Sequence, residues 1–309
     1  ELFGGEGPDQ LPCEDVGGID ERDAAEFLFG ERKRDLGAAE DDRDLRWLGL
    51  DWDEGPDAGG PAGPYVQSAR MGLYADALNR LGRAGHIYPC YCTRKELRTL
   101  AGAPHVGDAG AAYPGTCRNL PPERRAELEA AGRRPCIRLR CPSQNYAFED
   151  AVFGPFSMTL EACGGDFALR RSDGVIAYQL AVVVDDGLMG ITQVVRGEDL
   201  LVSTPRQLAL FDLLGYPRPA YMHLPLLCDP EGERLAKRHA SLTLASLRDA
   251  GVSPAAVAGY LGWKAGLIGA LAPAHPRNLL PAFDPGRLRF LPERVLIEAD
   301  LTASLSVVC

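Results

Sequence analysis

Three thiols and a phenol are gathered into one short stretch, Cys90-x-Cys92 followed by Tyr113-x-x-x-Cys117. Tetrahedral zinc takes four such ligands, and a tight turn bearing two thiolates plus a return segment bearing the rest would supply them. Cys-x-Cys is a less specific spacing than paired Cys-x-x-Cys knuckles. The same residues therefore also read as three reduced cysteines in a loop, and His105 offers a further ligand. A second candidate is the cationic stretch Gly232-Glu233-Arg234-Leu235-Ala236-Lys237-Arg238-His239. Lysine and arginine there could neutralise charge developing on a polyphosphate leaving group, or form a solvated basic turn. The third candidate is Arg196, at the end of an apolar run. A fixed guanidinium in that place suits a bidentate grip on a carboxylate, with a salt bridge to Glu198 or Asp199 as the alternative.

These side chains need elements to place them. Ile176 to Val184 reads as a β-strand running into Asp185-Asp186-Gly187, and Ile191 to Val195 as a second strand running into Arg196-Gly197-Glu198-Asp199. Short continuous apolar strands suggest a parallel sheet covered on both faces. Thr204 as N-cap, Pro205 in the first turn and Gln207 as capping-box partner predict a helix through Leu210, Phe211, Leu213 and Leu214 to Gly215. The result is a strand, turn and helix with polar residues at the strand's carboxyl end, where open α/β sheets bind ligands.

Upstream, Ala38 to Leu48 predicts a helix ending at Gly49, and Ser68 can cap a helix carrying Leu73, Ala77 and Leu81 on one face before Gly85. The Gly/Pro-rich segment Tyr88 to Arg118, a helix opened by Pro121-Pro122 and the alternating strand Cys136 to Arg140 read as an insertion. After Leu235 the pattern is mainly helices and loops.

Apolar residues make up 46% and charged residues 25% of the 309, which excludes a wholly disordered, collagen-like or disulfide-scaffold chain. The formal charge of -10 is concentrated at the front: residues 1–57 carry 19 acids and 6 bases, and the remainder is slightly basic. Broad nucleic-acid affinity is disfavoured by that balance, while a locally basic surface on the remainder is not. Nine cysteines, an odd number, with no charged-then-apolar leader, point to reduced thiols in a cytoplasmic setting. Pro254 to Pro273, the longest weakly polar stretch, is interrupted by Lys264 and reads as a buried helix pair, so no membrane segment is expected. Nothing in the pattern marks a protein partner.

The combination Asp173-Gly174-Val175-Ile176-Ala177-Tyr178-Gln179-Leu180-Ala181-Val182-Val183-Val184-Asp185-Asp186, Val194-Val195-Arg196-Gly197-Glu198-Asp199-Leu200, Arg206-Gln207 and Arg234-Leu235-Ala236-Lys237-Arg238 resembles the catalytic domain of class I glutamyl-tRNA synthetases. More closely it resembles the short glutamyl-Q tRNA(Asp) synthetase family. The likeness runs from about Gly37-Ala38-Ala39-Glu40 through Trp47-Leu48-Gly49-Leu50-Asp51-Trp52 and Gln67-Ser68 to Phe283-Asp284-Pro285. Two features favour the short family: the sequence ends at Cys309, without room for an anticodon-binding domain, and Val182 stands where full-length enzymes resemble one another in having asparagine.

The resemblance implies an α/β fold: a class I synthetase-like Rossmann domain in two parts, 37–87 and 166–235, split by a zinc-bearing insertion at 88–165 and followed by a helical domain at 236–309. It implies activation of glutamate with ATP and magnesium, then transfer to queuosine in the anticodon loop of tRNA(Asp). The family's zinc ligands fall on Cys90, Cys92, Tyr113 and Cys117, its glutamate contacts on Tyr178 and Arg196, and its ATP contacts on Arg234 and Lys237, the last being the catalytic lysine. Ala236 stands where the ATP loop commonly has serine.

Residues 1–36 depart from the family and read as poorly ordered. The His-Ile-Gly-His type ATP signature, the arginine and serine before it and the Arg-x-Glu-Asp segment after it have no counterpart. The first histidine is His86, and Phe27 occupies the expected place of a glutamate, with Glu31 four residues late. Impaired adenylate formation is the expectation. A truncated glutamyl-tRNA synthetase charging the acceptor end, and a non-catalytic tRNA- or zinc-binding remnant, are the alternative readings.

Overall fold

The computed structural model describes residues 42–93, 95–97, 113–235, 242–298 and 300–306. The expectations for residues 1–36, Gly37 to Glu40, His105, Lys237, Arg238 and His239 lie outside the described residues.

In chain order the strands are β1 (Ile87–Cys90), β2 (Cys136–Leu139), β3 (Asn145–Asp150), β4 (Gly154–Thr159), β5 (Ala168–Arg170), β6 (Gln193–Gly197), β7 (Ala220–Leu224), β8 (Leu226–Cys228) and β9 (Arg294–Leu296). The longer helices are α1 (Met71–Arg83), α2 (Pro122–Ala130), α3 (Tyr178–Met189), α4 (Thr204–Leu214), α5 (Leu244–Asp249) and α6 (Pro254–Lys264). One sheet has the order β4-β3-β7-β6, with β6 and β3 parallel to β7 and β4 returning antiparallel on β3. A second, antiparallel sheet has the order β1-β2-β5.

The apolar run after Ile176 is a helix, α3, and not the strand its composition suggests. Its buried positions are Leu180, Ala181, Val183 and Val184, the i, i+1, i+3, i+4 spacing of a helix covered on one broad side. A helix buried this deeply loses its polar face, so its sequence reads as a strand; packing overrides the β-branched preference of Val182 to Val184. The left-handed Gly190 then closes the helix and returns the chain into β6.

Helix α1 buries Tyr74, Ala77, Leu78 and Leu81, whereas Leu73, expected on that face, is exposed. Ser68 does not cap it; residues Gln67–Arg70 form a 3₁₀ turn that runs straight into α1. Gly85, at φ +73°, ends it as expected. Helices α1, α3 and α4 share the main core with Leu139, Tyr146, Leu160, Leu169 and Tyr221 of the strands and their flanks.

A second core joins α5 and α6 to Leu48, Ile297, Leu301 and Leu305. Residues 42–47 are helical and carry Leu48 and Trp47 into it, with Asp44 accepting an ion pair from Arg248. Ser253 caps α6 through the Ala256 amide. Gly259 lies so close to Ala272 that a Cβ would stand 1.9 Å from its carbonyl oxygen. Of the helix pair expected across Pro254 to Pro273, only α6 forms, followed by turns. The tail also contributes a strand, β9, which extends β8 in parallel. Among the described residues no helix is long and apolar enough to cross a membrane.

Candidate functional site

Strand β1 delivers Cys90 to the end of the small sheet, and the chain turns there to present Cys92. Residues 114–119 turn back beside them: the Arg118 amide bonds to the Gly115 carbonyl, and the Cys117 amide donates to Tyr113 Oη at 2.8 Å. The Sγ atoms of Cys90, Cys92 and Cys117 all lie within 4.8 Å of one another. Cys92 Sγ is 3.6 Å from Cys117 Sγ and 3.9 Å from Tyr113 Oη, and Cys90 Sγ is 3.3 Å from Tyr113 Oη.

A tetrahedron built on Zn–S bonds of about 2.3 Å has edges of about 3.8 Å, a spacing close to those found among these donors, so the cluster suits a zinc ion. Two residues that the sequence did not single out support the cluster. Cys136 pairs with Cys90 across the β1–β2 ladder, and its hydrogen bond, followed by that of Tyr113, holds the Cys90 thiol well below the usual thiol range. Arg138 lies buried with its guanidinium 3.9 Å from the Tyr113 ring centroid and donates to the Asp166 carbonyl.

The second locus is at the carboxyl end of β6, where Arg196 is half-buried. Its Nε donates to His223 Nε2 at 3.0 Å, Nη1 to Gln207 Oε1 at 2.7 Å, and Nη2 to Thr204 Oγ1 at 2.8 Å and the Leu200 carbonyl at 3.4 Å. The guanidinium also sits 5.1 Å from the Tyr221 ring. Every one of these acceptors is neutral, and among the described residues no carboxylate is within ion-pair distance of Arg196. The expected alternative, a bridge to Glu198 or Asp199, does not form: Asp199 pairs with Arg234. An oriented cation without an internal counter-ion suits an incoming carboxylate.

The arrangement also corrects the capping box expected at Thr204. The N-cap of α4 is Ser203 without a side-chain cap bond, because Thr204 and Gln207 turn to the guanidinium. A half-buried charged donor outweighs an amide of the first helical turn. Gln207 passes the connection on, donating to Gln179 of α3 at 2.9 Å. Tyr178 opens α3 next to Gln179 in sequence and is 48% exposed. Asp186 of the same helix has its carboxyl pushed up to about 6 by burial and the charge of Asp185, against the pull of Arg196. Asp185 itself anchors α1, accepting from Arg70 at 2.6 Å and from Tyr74.

Behind Arg196 stand two residues that the sequence reading missed. Asp150 and His223 are fully buried, with His223 Nδ1 2.6 Å from Asp150 Oδ2. Asp150 also accepts from the amides of Val152, Phe153 and His223. Burial, reinforced by the charge of Arg196, lowers the His223 pKa below its usual 6.5 despite the carboxylate. Asp150 and His223 lie 73 positions apart and are brought together by the β3–β7 pairing.

The structure thus brings Cys90, Cys92, Tyr113 and Cys117 into one cluster, and places Arg196 and Arg234 at the end of β6 through Asp199. Lys237 lies outside the described residues.

Residues 31–267 match the family model described as tRNA synthetases class I (E and Q), catalytic domain. A glutamyl-Q tRNA(Asp) synthetase of Nitratidesulfovibrio vulgaris is 65% identical over 76% of this chain and 72% of its own length. One of Symbiobacterium thermophilum is 55% identical over 85% and 81%. A crystal structure of glutamate-tRNA synthetase from Elizabethkingia anophelis superposes with a TM-score of 0.67 at 24% identity, over 85% of this chain and 58% of that one, which establishes the shared fold. By these matches the chain belongs to the class I aminoacyl-tRNA synthetases, in the glutamyl-Q tRNA(Asp) synthetase family of ligases.

Proposed function

We propose that the chain is built for the reaction named for its relatives, in which glutamate is activated with ATP and transferred to queuosine in the anticodon loop of tRNA(Asp) in the cytoplasm, with the activation step impaired in this chain. In the first step a glutamate carboxylate oxygen attacks the α-phosphorus and pyrophosphate leaves. In the second a cyclopentene hydroxyl of queuosine attacks the mixed anhydride, forming an ester and releasing AMP. The observation that carries the reading is Arg196, a guanidinium fixed by four neutral acceptors and without an internal carboxylate. Tyr178, exposed at the start of α3, supplies a hydroxyl to the same amino-acid pocket. Arg234 and Lys237 serve the pyrophosphate side, with magnesium on the phosphates.

Glutamate binding followed by calorimetry tests the pocket. Arg196→Ala is expected to weaken it about a hundredfold, since truncating a carboxylate's cationic partner forfeits a charged, multiply bonded contact. Unchanged affinity would remove Arg196 from the pocket.

Zinc on Cys90, Cys92, Tyr113 and Cys117 is part of the same reading, and when bound it would cross-link β1 to the 113–117 turn and so hold this end of the small sheet. Purified protein is expected to carry one zinc per chain, and Cys117→Ser to lose it; a metal-free protein, or a Cys117→Ser variant with full occupancy, would overturn the assignment.

The ATP half of the site is where the chain departs from the family. No His-Ile-Gly-His type segment and no histidine occur in residues 1–36, which stand where the family carries that signature. We therefore assign to this chain a retained glutamate and transfer site with a defective adenylation step. That departure favours, as a second reading, a non-catalytic tRNA- or zinc-binding remnant.

A further inference from the structure

Arg196 is held by its surroundings in an unusual way, because one of its orienting contacts comes from an imidazole. Asp150 is an acceptor whose two oxygens already receive the amides of Val152, Phe153 and His223. Its contact of 2.6 Å with His223 Nδ1 therefore requires the proton on Nδ1. Arginine can only donate, so its contact of 3.0 Å with Nε2 requires a lone pair there. The two neighbours select the same tautomer independently: neutral imidazole, protonated at Nδ1 and bare at Nε2.

We propose that Asp150 and His223 form a buried relay that fixes the Arg196 guanidinium in the orientation that receives the substrate carboxylate, which makes His223 a positioning residue for glutamate binding. The inference rests on the reading of Arg196 as the glutamate cation.

The geometry explains why a neutral histidine stands there. A carboxylate in the place of His223 would neutralise Arg196 and compete with the substrate, whereas a neutral acceptor steers the guanidinium plane and leaves its charge available. Gln207, Thr204 and the Leu200 carbonyl do the same from α4 and the turn before it. The chain Asp150, His223, Arg196, Gln207, Gln179 thus links β3, β7, β6, α4 and α3, and it ends one residue from Tyr178. The imidazole is itself fixed, stacked at 15° on the Tyr221 ring and packed against Phe148.

Two measurements on the full chain test this. In ligand-free protein with ¹⁵N-labelled histidine, the signal that disappears in His223→Gln should show Nδ1 protonated and Nε2 unprotonated, and Arg196→Lys should shift the Nε2 resonance. In glutamate titrations, His223→Leu should weaken binding about tenfold, since it removes one hydrogen bond to a charged group. His223→Gln, whose amide oxygen can reach the position of Nε2, should restore most of that loss. A proton on Nε2, or full glutamate affinity in a folded His223→Leu variant, would overturn the relay. Unchanged affinity in Arg196→Ala would instead overturn the glutamate reading, and the two failures are distinguishable because the tautomer is read without ligand.

Discussion

Given ATP and glutamate, this chain is expected to exchange pyrophosphate at a rate near background. Adenylate formation needs charge stabilisation on both sides of the α-phosphate. Arg234, Lys237 and Arg238 can serve only the side on which pyrophosphate leaves. On the other side a synthetase of this class presents a helix N-terminus with paired histidines, and residues 1–36, which stand in its place, contain no histidine. The acids of residues 1–57, in excess of the bases by 19 to 6, would also repel a polyphosphate. Each lost transition-state donor costs about 10² to 10³ in rate, and several are lost together. Glutamate-dependent exchange at the rate of the Nitratidesulfovibrio vulgaris relative would refute this, and would mean that residues 1–36 rebuild the missing half in another form.

The second large effect concerns stability. Asp150→Ala should destabilise the fold by about 3–5 kcal/mol, the usual cost of leaving a buried charged or hydrogen-bonded group without its partner. The substitution strands the imidazole Nδ1–H and the amides of Val152, Phe153 and His223 in the interior, beside the still-charged Arg196. In a protein of this size each kcal/mol moves the melting temperature by about 2–4 °C, so a fall of about 6–20 °C is expected in a thermal melt. Asp150→Asn retains an acceptor and should recover part of it. An Asp150→Ala protein that melts like wild type would show that the network is not a structural support.

The legible parts of this molecule were those written locally. Strand β6 with Arg196 near its end, helix α4 with Pro205 in its first turn, and helix α2 after Pro121 are each announced within a few residues by an apolar run, a proline or a glycine. The thiols and Tyr113 of the cluster lie within 28 consecutive positions, close enough for spacing to suggest a shared ligand.

What was misread depended on burial or on distance along the chain. Helix α3 is covered so broadly that its apolar run has no polar face to reveal a helical period. Thr204 and Gln207 have the residue types of a capping box, and only the fold shows that a guanidinium claims both side chains. Asp150 meets His223 because β3 lies parallel beside β7, a register that neither segment encodes alone. Cys136 likewise reaches Cys90 only through the β1–β2 ladder.

The transfer step, separated from adenylation, tests the central claim most directly. Chemically prepared glutamyl adenylate with labelled glutamate is incubated with the chain and queuosine-bearing tRNA(Asp), and the tRNA is then cut to separate the anticodon loop from the acceptor end. Label in the anticodon fragment, absent when the tRNA lacks queuosine and strongly reduced by Arg196→Ala, is the predicted result. Label at the terminal adenosine, or no protein-dependent label in either fragment, would contradict it.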